Sequence, residues 1–530
     1  MKNFTFYLSL FITLNVTAQI GDYNITIKPL QITNLPGLQS FAWAKQNNQW
    51  LIVGGRLDGL HRRQPNAAFA ASGNNTNIYL VNALTNQIKS VSVNTLPVSI
   101  AEQLQSTNME FHQHGNTLYL IGGYGYSATA ANHITHNKIT SINVNGLIQA
   151  IDNGTSITPH IKQLTNESMA VTGGHLGMIN DTMYLVCGNR FDGRYNPMGG
   201  PSFTQAYTNQ IRKFTMVNTN DTFHLSSYAA ITDSTNLHRR DYNFTPNIDI
   251  NGNEWYTIWT GVFQYNLDLP WLNTVDVRAN GHQVNNGFNQ YLSQYHSANV
   301  PIFDSINQNM YTVFFGGISQ FYANENGQIT QNDSVPFVKT ISYVRRDASG
   351  NLSEHKFSTE MPGYLGAGSE FIPTNELQSY NNNVLKLNST KKDSILIGYI
   401  VGGINSSQKN IFWINTGTQS TANNTVYEVW LTKSVQTSTV KINDDKVWQV
   451  NVYPNPAAKK VTVELPDSNK NHQVKINLSN LNGQHIKQLF NGLYTEALQL
   501  DLPEINKGTY YLTVQRGQFI HVERLIINQY

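Results

Sequence analysis

Between residues 20 and 435 apolar and polar positions recur in one order. A short alternating strand leads through a polar turn to a second, strongly apolar strand ending in paired glycines, then to a long loop and two more alternating strands. Leu51-Ile52-Val53-Gly54-Gly55 and Leu118-Tyr119-Leu120-Ile121-Gly122-Gly123 are the cleanest copies. Degenerate ones follow at Met183 to Gly188, where Cys187 replaces the first glycine, and at Trp255 to Gly261, Met310 to Gly317 and Ile397 to Gly403. The turns ahead of the first five are polar and mostly rich in Asn, a residue that tolerates the positive φ of tight hairpins. Four antiparallel strands per repeat predict a propeller blade, an arrangement that protects sheet edges by radial repetition. The last repeat lacks an outer strand of its own. The alternating segment Tyr23 to Ile27 is expected to fill that place beside Val426 to Leu431 and close the ring.

The paired glycine closing each second strand resembles the kelch repeat, although the units here are longer than the roughly 50 residues usual for kelch. The resemblance implies an all-β chain: a kelch-like β-propeller over residues 19–435, with six blades, or seven if the stretch from Asn332 to Asn388 holds another.

The chain's two ends carry address signals. Met1 to Ala18 combines one positive charge, an apolar stretch and a small-residue Val16-Thr17-Ala18 site, which predicts a signal peptide over residues 1–18. A polar linker over 436–446 precedes a separate module over 447–530. Its strands are expected at Val461 to Leu465, Val474 to Leu478 and Tyr510 to Val514. Tyr453-Pro454-Asn455-Pro456, then Leu481 to Gln484 with Gly483, then Lys507-Gly508 leading into Tyr510 and Tyr511, with Arg524 near the end, resemble the type A C-terminal sorting domain of the type IX secretion system. That resemblance implies a small β-sandwich, a partner in the type IX secretion machinery, and secretion or display on the outer surface of a Gram-negative bacterium by way of the periplasm.

Composition narrows the function classes. Only 13% of residues are charged and the formal net charge is +2, without a long basic run, which argues against nucleic acid. Past the first segment no apolar run reaches the roughly 18 residues of a membrane helix, so no transmembrane segment is expected. The single cysteine, Cys187, permits no intrachain disulfide and reads as a buried filler.

Strand direction brings the loops after the glycine pairs and the starts of the inner strands to one mouth, and rigid scaffolds concentrate function on such loops. The ligand-binding candidates are therefore Arg56, His61, Arg62, Tyr124, Arg190 and Arg194 from the loops, with Glu110, Arg240, Tyr242, Tyr295, His296 and Glu370 from the strand starts. The competing reading makes the arginines and acids structural pairs between blades. No GxSxG, HExxH, P-loop or CxxC pattern occurs, so no catalytic residue and no cofactor is assigned. Tyr295-His296-Ser297 resembles the blade of copper radical oxidases that donates a tyrosine and a histidine to copper, yet Cys187 lies outside the place of their cross-link. Kelch folds also host sialic-acid epimerases. The expectation is a secreted or surface binding protein for a glycan or protein ligand, with a secreted carbohydrate-active enzyme as the alternative.

Overall fold

The computed structural model describes residues 18–197, 202–219, 222–324, 328–433, 450–466, 470–481, 483–517 and 519–528. The expected signal peptide, save Ala18, and the linker over 436–446 lie outside them. The chain divides into two compact units, 1–434 and 435–530.

Among the described residues of the first unit, six blade sheets each contain four antiparallel strands, the fifth with one short strand more, and two-stranded ribbons occupy several loops. Blade 1 runs Ala42–Gln46, Gln49–Val53, Asn77–Asn82, Gln87–Ser92 and blade 2 runs Glu110–His114, Thr117–Ile121, Lys138–Asn143, Ile161–Thr165. Blade 3 comprises His175–Ile179, Thr182–Val186, Gln210–Asn218, Phe223–Thr232, and blade 4 Asn243–Ile248, Glu254–Trp259, Thr274–Arg278, Gly281–Asn285. Blade 5 has Asn299–Asp304, Asn309–Phe315, Thr340–Arg346 and Leu352–Glu360, with the two-residue strand Leu385–Lys386 added in parallel beside the inner strand. Blade 6 has Ser369–Pro373, Ser394–Gly402 and Val426–Lys433, and its outer strand is Tyr23–Leu30 from the other end of the unit. Ile25 pairs with Leu431 and Ile27 with Val429, so the ring closes as the alternation predicts. The stretch from Asn332 to Asn388 hides no seventh blade, because it supplies the outer strands of blade 5 and the inner strand of blade 6.

Apolar faces of successive blades pack on one another around the whole ring. Leu51 and Val53 meet Leu118 and Leu120; Tyr119 and Ile121 meet Met183 and Leu185; Tyr184 and Val186 meet Phe244 and Ile258. Trp259 meets Phe314, Val300 and Val313 meet Phe371 and Ile397, and Ile372 and Val401 return to Trp50 and Ile52. Burial of these apolar faces, one cluster after another around the ring, is what holds the blades together.

The glycine pairs have a steric reason. Both residues of each pair adopt positive φ, including Cys187 at 50° and Thr260 at 61°, which stand in the first position of blades 3 and 4. The second position is glycine in all six. A Cβ on Gly55 would lie 2.6 Å from the Gln39 carbonyl oxygen and 2.7 Å from Phe41 Cβ, so the backbone turning out of the second strand touches the start of the inner strand.

In the second unit, Asn451–Tyr453, Lys460–Glu464 and Leu498–Asp501 form one sheet, and His485–Tyr494, His472–Ser479, Gly508–Arg516 and Phe519–Ile527 form another. The alternate residues Val461 and Val463, Val474, Ile476 and Leu478, and Leu512 and Val514 are buried together between them. Asn455 of the Tyr-Pro-Asn-Pro segment fixes this unit's last strand: its side chain donates to the Arg524 carbonyl at 2.6 Å and accepts from the Ile526 N–H at 2.9 Å. Tyr453 is exposed, as are Lys507 and Gly508, and Gly483 takes the positive φ of its turn.

Candidate functional site

One residue from each blade, Ser40, Asn108, Gly173, Asp241, His296 and Gly368, lies just ahead of the inner strand at the central channel. Backbone hydrogen bonds join them around the ring: Asn108 N–H to Ser40 O at 3.1 Å, Asp241 to Gly173 at 2.8 Å, His296 to Asp241 at 2.9 Å, Gly368 to His296 at 3.0 Å and Ser40 to Gly368 at 2.7 Å. The Thr172 hydroxyl donates to Asn108 O at 3.2 Å across the remaining step. Five of the six take positive φ, which turns the chain inward before the strand begins. The ring narrows the channel. Its residues floor a cavity of about 300 Å³ on the loop side and roof a pocket of about 20 Å³ beneath.

Loops from all six blades wall the larger cavity. Blade 1 gives Arg56, Leu60, His61 and Phe69; blade 2, Tyr124; blade 3, Asn189, Phe191, Tyr195 and Gln205; blade 4, Phe263; blade 5, Ile318; blade 6, Ile404 and Phe412. Several loops are stiffened as two-stranded ribbons, such as Asn189–Gly193 with Phe203–Tyr207. The rings form one packed wall: Phe69 lies edge-on to Tyr124 at 5.2 Å, Tyr124 to Phe191 at 5.2 Å, and His61 to Tyr195 at 4.9 Å.

The charges in this wall are neutralised pairwise. Arg56 is buried and forks onto Asp58 at 2.7 and 2.6 Å, with further bonds to Asn74 and the Ala70 carbonyl. Arg240 reaches Asp241 at 2.5 Å and the Tyr207 hydroxyl at 3.2 Å, over the face of Phe263. Burial acts most strongly and would lower the Arg240 pKa, but Asp241, Tyr207 and Tyr295 together outweigh it and the net direction is upward. His61 is pushed down to about 4 by burial and is neutral at pH 7. Tyr295 is half-buried, and desolvation raises its phenol well beyond neutral pH.

Of the residues expected at the mouth, Arg56, His61, Tyr124, Arg240, Tyr295 and His296 line this cavity. The others do not. Tyr242 belongs to the core: it has no exposed surface and its hydroxyl donates to the Val186 carbonyl at 2.6 Å, because the inner strand has already turned its side chain between blades 3 and 4. Arg190 points outward to Glu167 and Asp192, Arg194 donates to the Ala68 carbonyl, and the Arg62 guanidinium lies against Gly417. Glu110 is buried two residues below the ring; one carboxylate oxygen accepts from Gly174 N–H at 2.9 Å and the other meets no partner among the described residues. Burial raises its carboxyl well above the usual range. Glu370 lines the small lower pocket, 3.1 Å from His296 Nε2 and 3.3 Å from the Trp43 indole nitrogen. Burial would lower His296, yet Glu370 raises it on balance. Sequence reasoning missed Phe69, Phe263 and Phe412, which sit in irregular loop segments without a period to mark them.

Among the described residues no three His, Cys, Asp or Glu side chains come together in a way that could hold a metal ion. Cys187 is buried, and desolvation moves its thiol up to about 12.

Residues 451–528 match the secretion system C-terminal sorting domain family. The chain carries a type IX sorting domain. It is therefore exported to the cell surface or secreted by a Gram-negative bacterium, and it engages the secretion machinery. No described helix is long and apolar enough to cross a membrane. No curated protein matches the chain. Among solved structures, YjhT is similar at 14% identity over 73% of this chain and 97% of its own, with a TM-score of 0.41. A glycoside hydrolase is similar at 8% identity over 94% of this chain and 96% of its own, with a TM-score of 0.27. Latent PorU from Porphyromonas gingivalis shares 10% identity over 71% of this chain and 36% of its own, with a TM-score of 0.14. Likeness this distant carries no argument about activity, and the propeller rests on its own six sheets.

Proposed function

We propose that this is an exported binding protein on a kelch-type propeller, and that its channel mouth takes the terminal ring of a neutral glycan. The observation that carries the reading is the cavity of about 300 Å³ walled by aromatic rings from several blades, with its guanidinium groups already matched by carboxylates. Aromatic faces suit the C–H side of a pyranose, and Asn108, Asn189, Gln205 and the Arg240–Asp241 pair supply hydroxyl partners around it. An acidic sugar in the cavity would find both lining guanidinium groups, Arg56 and Arg240, already matched by carboxylates, and a flat protein surface would not enter the cavity.

The full-length protein applied to an array of neutral and acidic glycans tests this. Binding to neutral termini, weakened at least about tenfold by Tyr195→Ala with an unchanged unfolding transition, is expected of a wall aromatic. An array on which only acidic glycans respond, or a Tyr195→Ala variant that binds as wild type, overturns it. The enzymatic alternative has one observation in its favour: His296 lines the cavity while leaning on Glu370. Turnover of a bound sugar that disappears in His296→Gln would favour that reading.

A further inference from the structure

The rim of the mouth holds an aromatic side chain for which the core has no use. Trp413 is 69% exposed, the most exposed aromatic among the large apolar side chains of the described residues. It follows Phe412, which lines the cavity and stacks on Phe337 at 5.9 Å. Consecutive Cα atoms are about 3.8 Å apart, so the Trp413 backbone stands at the lip of the cavity. Arg63, two residues beyond the cavity-lining His61, places its guanidinium 3.4 Å from the centre of the indole ring.

This exposure is not that of a loose loop tip. Asn415, fully buried, ties the blade 6 loop to the blade 1 loop: its side-chain amide donates to the Leu60 and His61 carbonyls at 2.8 and 3.0 Å, and its carbonyl accepts from the Arg63 N–H at 3.2 Å. Its side-chain oxygen also accepts from the Gly417 N–H at 3.0 Å. The two loops form one braced platform, on which Arg63 backs the indole while most of the indole surface faces solvent. A large apolar ring held out in water on a rigid frame is an arrangement suited to a partner.

Resting on the neutral-glycan reading, we infer that Trp413, backed by Arg63, is an outer subsite that stacks on the second sugar ring of a glycan whose terminal ring occupies the cavity. The ligand class is thereby narrowed from a free monosaccharide to an oligosaccharide of two or more neutral units. The apolar C–H face of a pyranose lies on the indole, and the chain leaves over the junction of blades 6 and 1.

The experiment uses the full-length protein with matched mono-, di- and trisaccharides carrying the same neutral terminal sugar, read by calorimetry and by acrylamide quenching of tryptophan fluorescence. The di- and trisaccharide should bind more tightly than the monosaccharide and protect one exposed tryptophan from quencher. Trp413→Ala should weaken di- and trisaccharide binding about tenfold, leave monosaccharide binding unchanged, and remove the protection. Trp413→Phe should retain part of the gain. Equal affinity for mono- and disaccharide in the wild type, or Trp413→Ala losing both alike, overturns the outer subsite while leaving the cavity reading in place. Absence of binding to every member of the series overturns both.

Discussion

Glu110 shows how one residue can be readable in the sequence and still misplaced. A carboxylate at the start of an inner strand reads as a mouth residue, but the ring turns the chain inward first, and two residues later the side chain is enclosed beside Gly122 and Gly174. Burial raises its pKa above the value of about 4.3 to 4.5 it has when unfolded. The folded protein then holds a proton that the unfolded chain has lost, and stability falls as pH rises from that value toward the folded pKa, at up to about 1.4 kcal/mol per pH unit. Glu110→Gln removes this dependence. The variant should gain on the wild type as pH rises above about 4.5 in urea denaturation, whereas curves that stay parallel would show that the carboxyl is ionised in the fold. The paired glycines are the opposite case, since positive φ and the close approach of Gln39 and Phe41 leave a mark in sequence that no other residue type would satisfy at the second position.

Among the elements, the strand Tyr23–Leu30 has the largest consequence for its length. It is the outer strand of blade 6, and every residue from Tyr23 to Leu30 has a partner on Val426–Lys433. Its buried Ile25 belongs to the core cluster shared by blades 5 and 6, and the Thr359 hydroxyl of blade 5 donates to the Ile25 carbonyl at 2.8 Å. Removing residues 20–33 takes away a whole strand and exposes an apolar edge. The melting temperature should fall much further than for a point substitution, whose usual cost is roughly 0.5 to 3 kcal/mol, and the product should self-associate in analytical ultracentrifugation. A monomeric deletion variant with an unchanged melting temperature would contradict closure by this strand.

For the molecule as a whole, the two compact units predict that function and address separate. Deletion of residues 447–530 should abolish appearance in the medium or on the surface while the propeller retains its unfolding transition and its glycan binding; secretion of the truncated chain would contradict the role of the sorting domain. The sequence by itself determined the class of each unit, the repeat of glycine-paired strands, the closing strand and the sorting domain, while the sheets decided six blades over seven. Those features rest on local constraints, namely strand alternation, positive φ and turn chemistry, which a linear pattern records. Only the tertiary structure decided which charged residues reach the cavity and which are spent as internal pairs, because Arg56 with Asp58 and Arg240 with Asp241 differ from the outward-facing Arg190 by loop geometry alone. The backbone ring through Ser40, Asn108, Gly173, Asp241, His296 and Gly368 was equally invisible, since a main-chain hydrogen bond imposes a conformation and leaves the side chain free to vary.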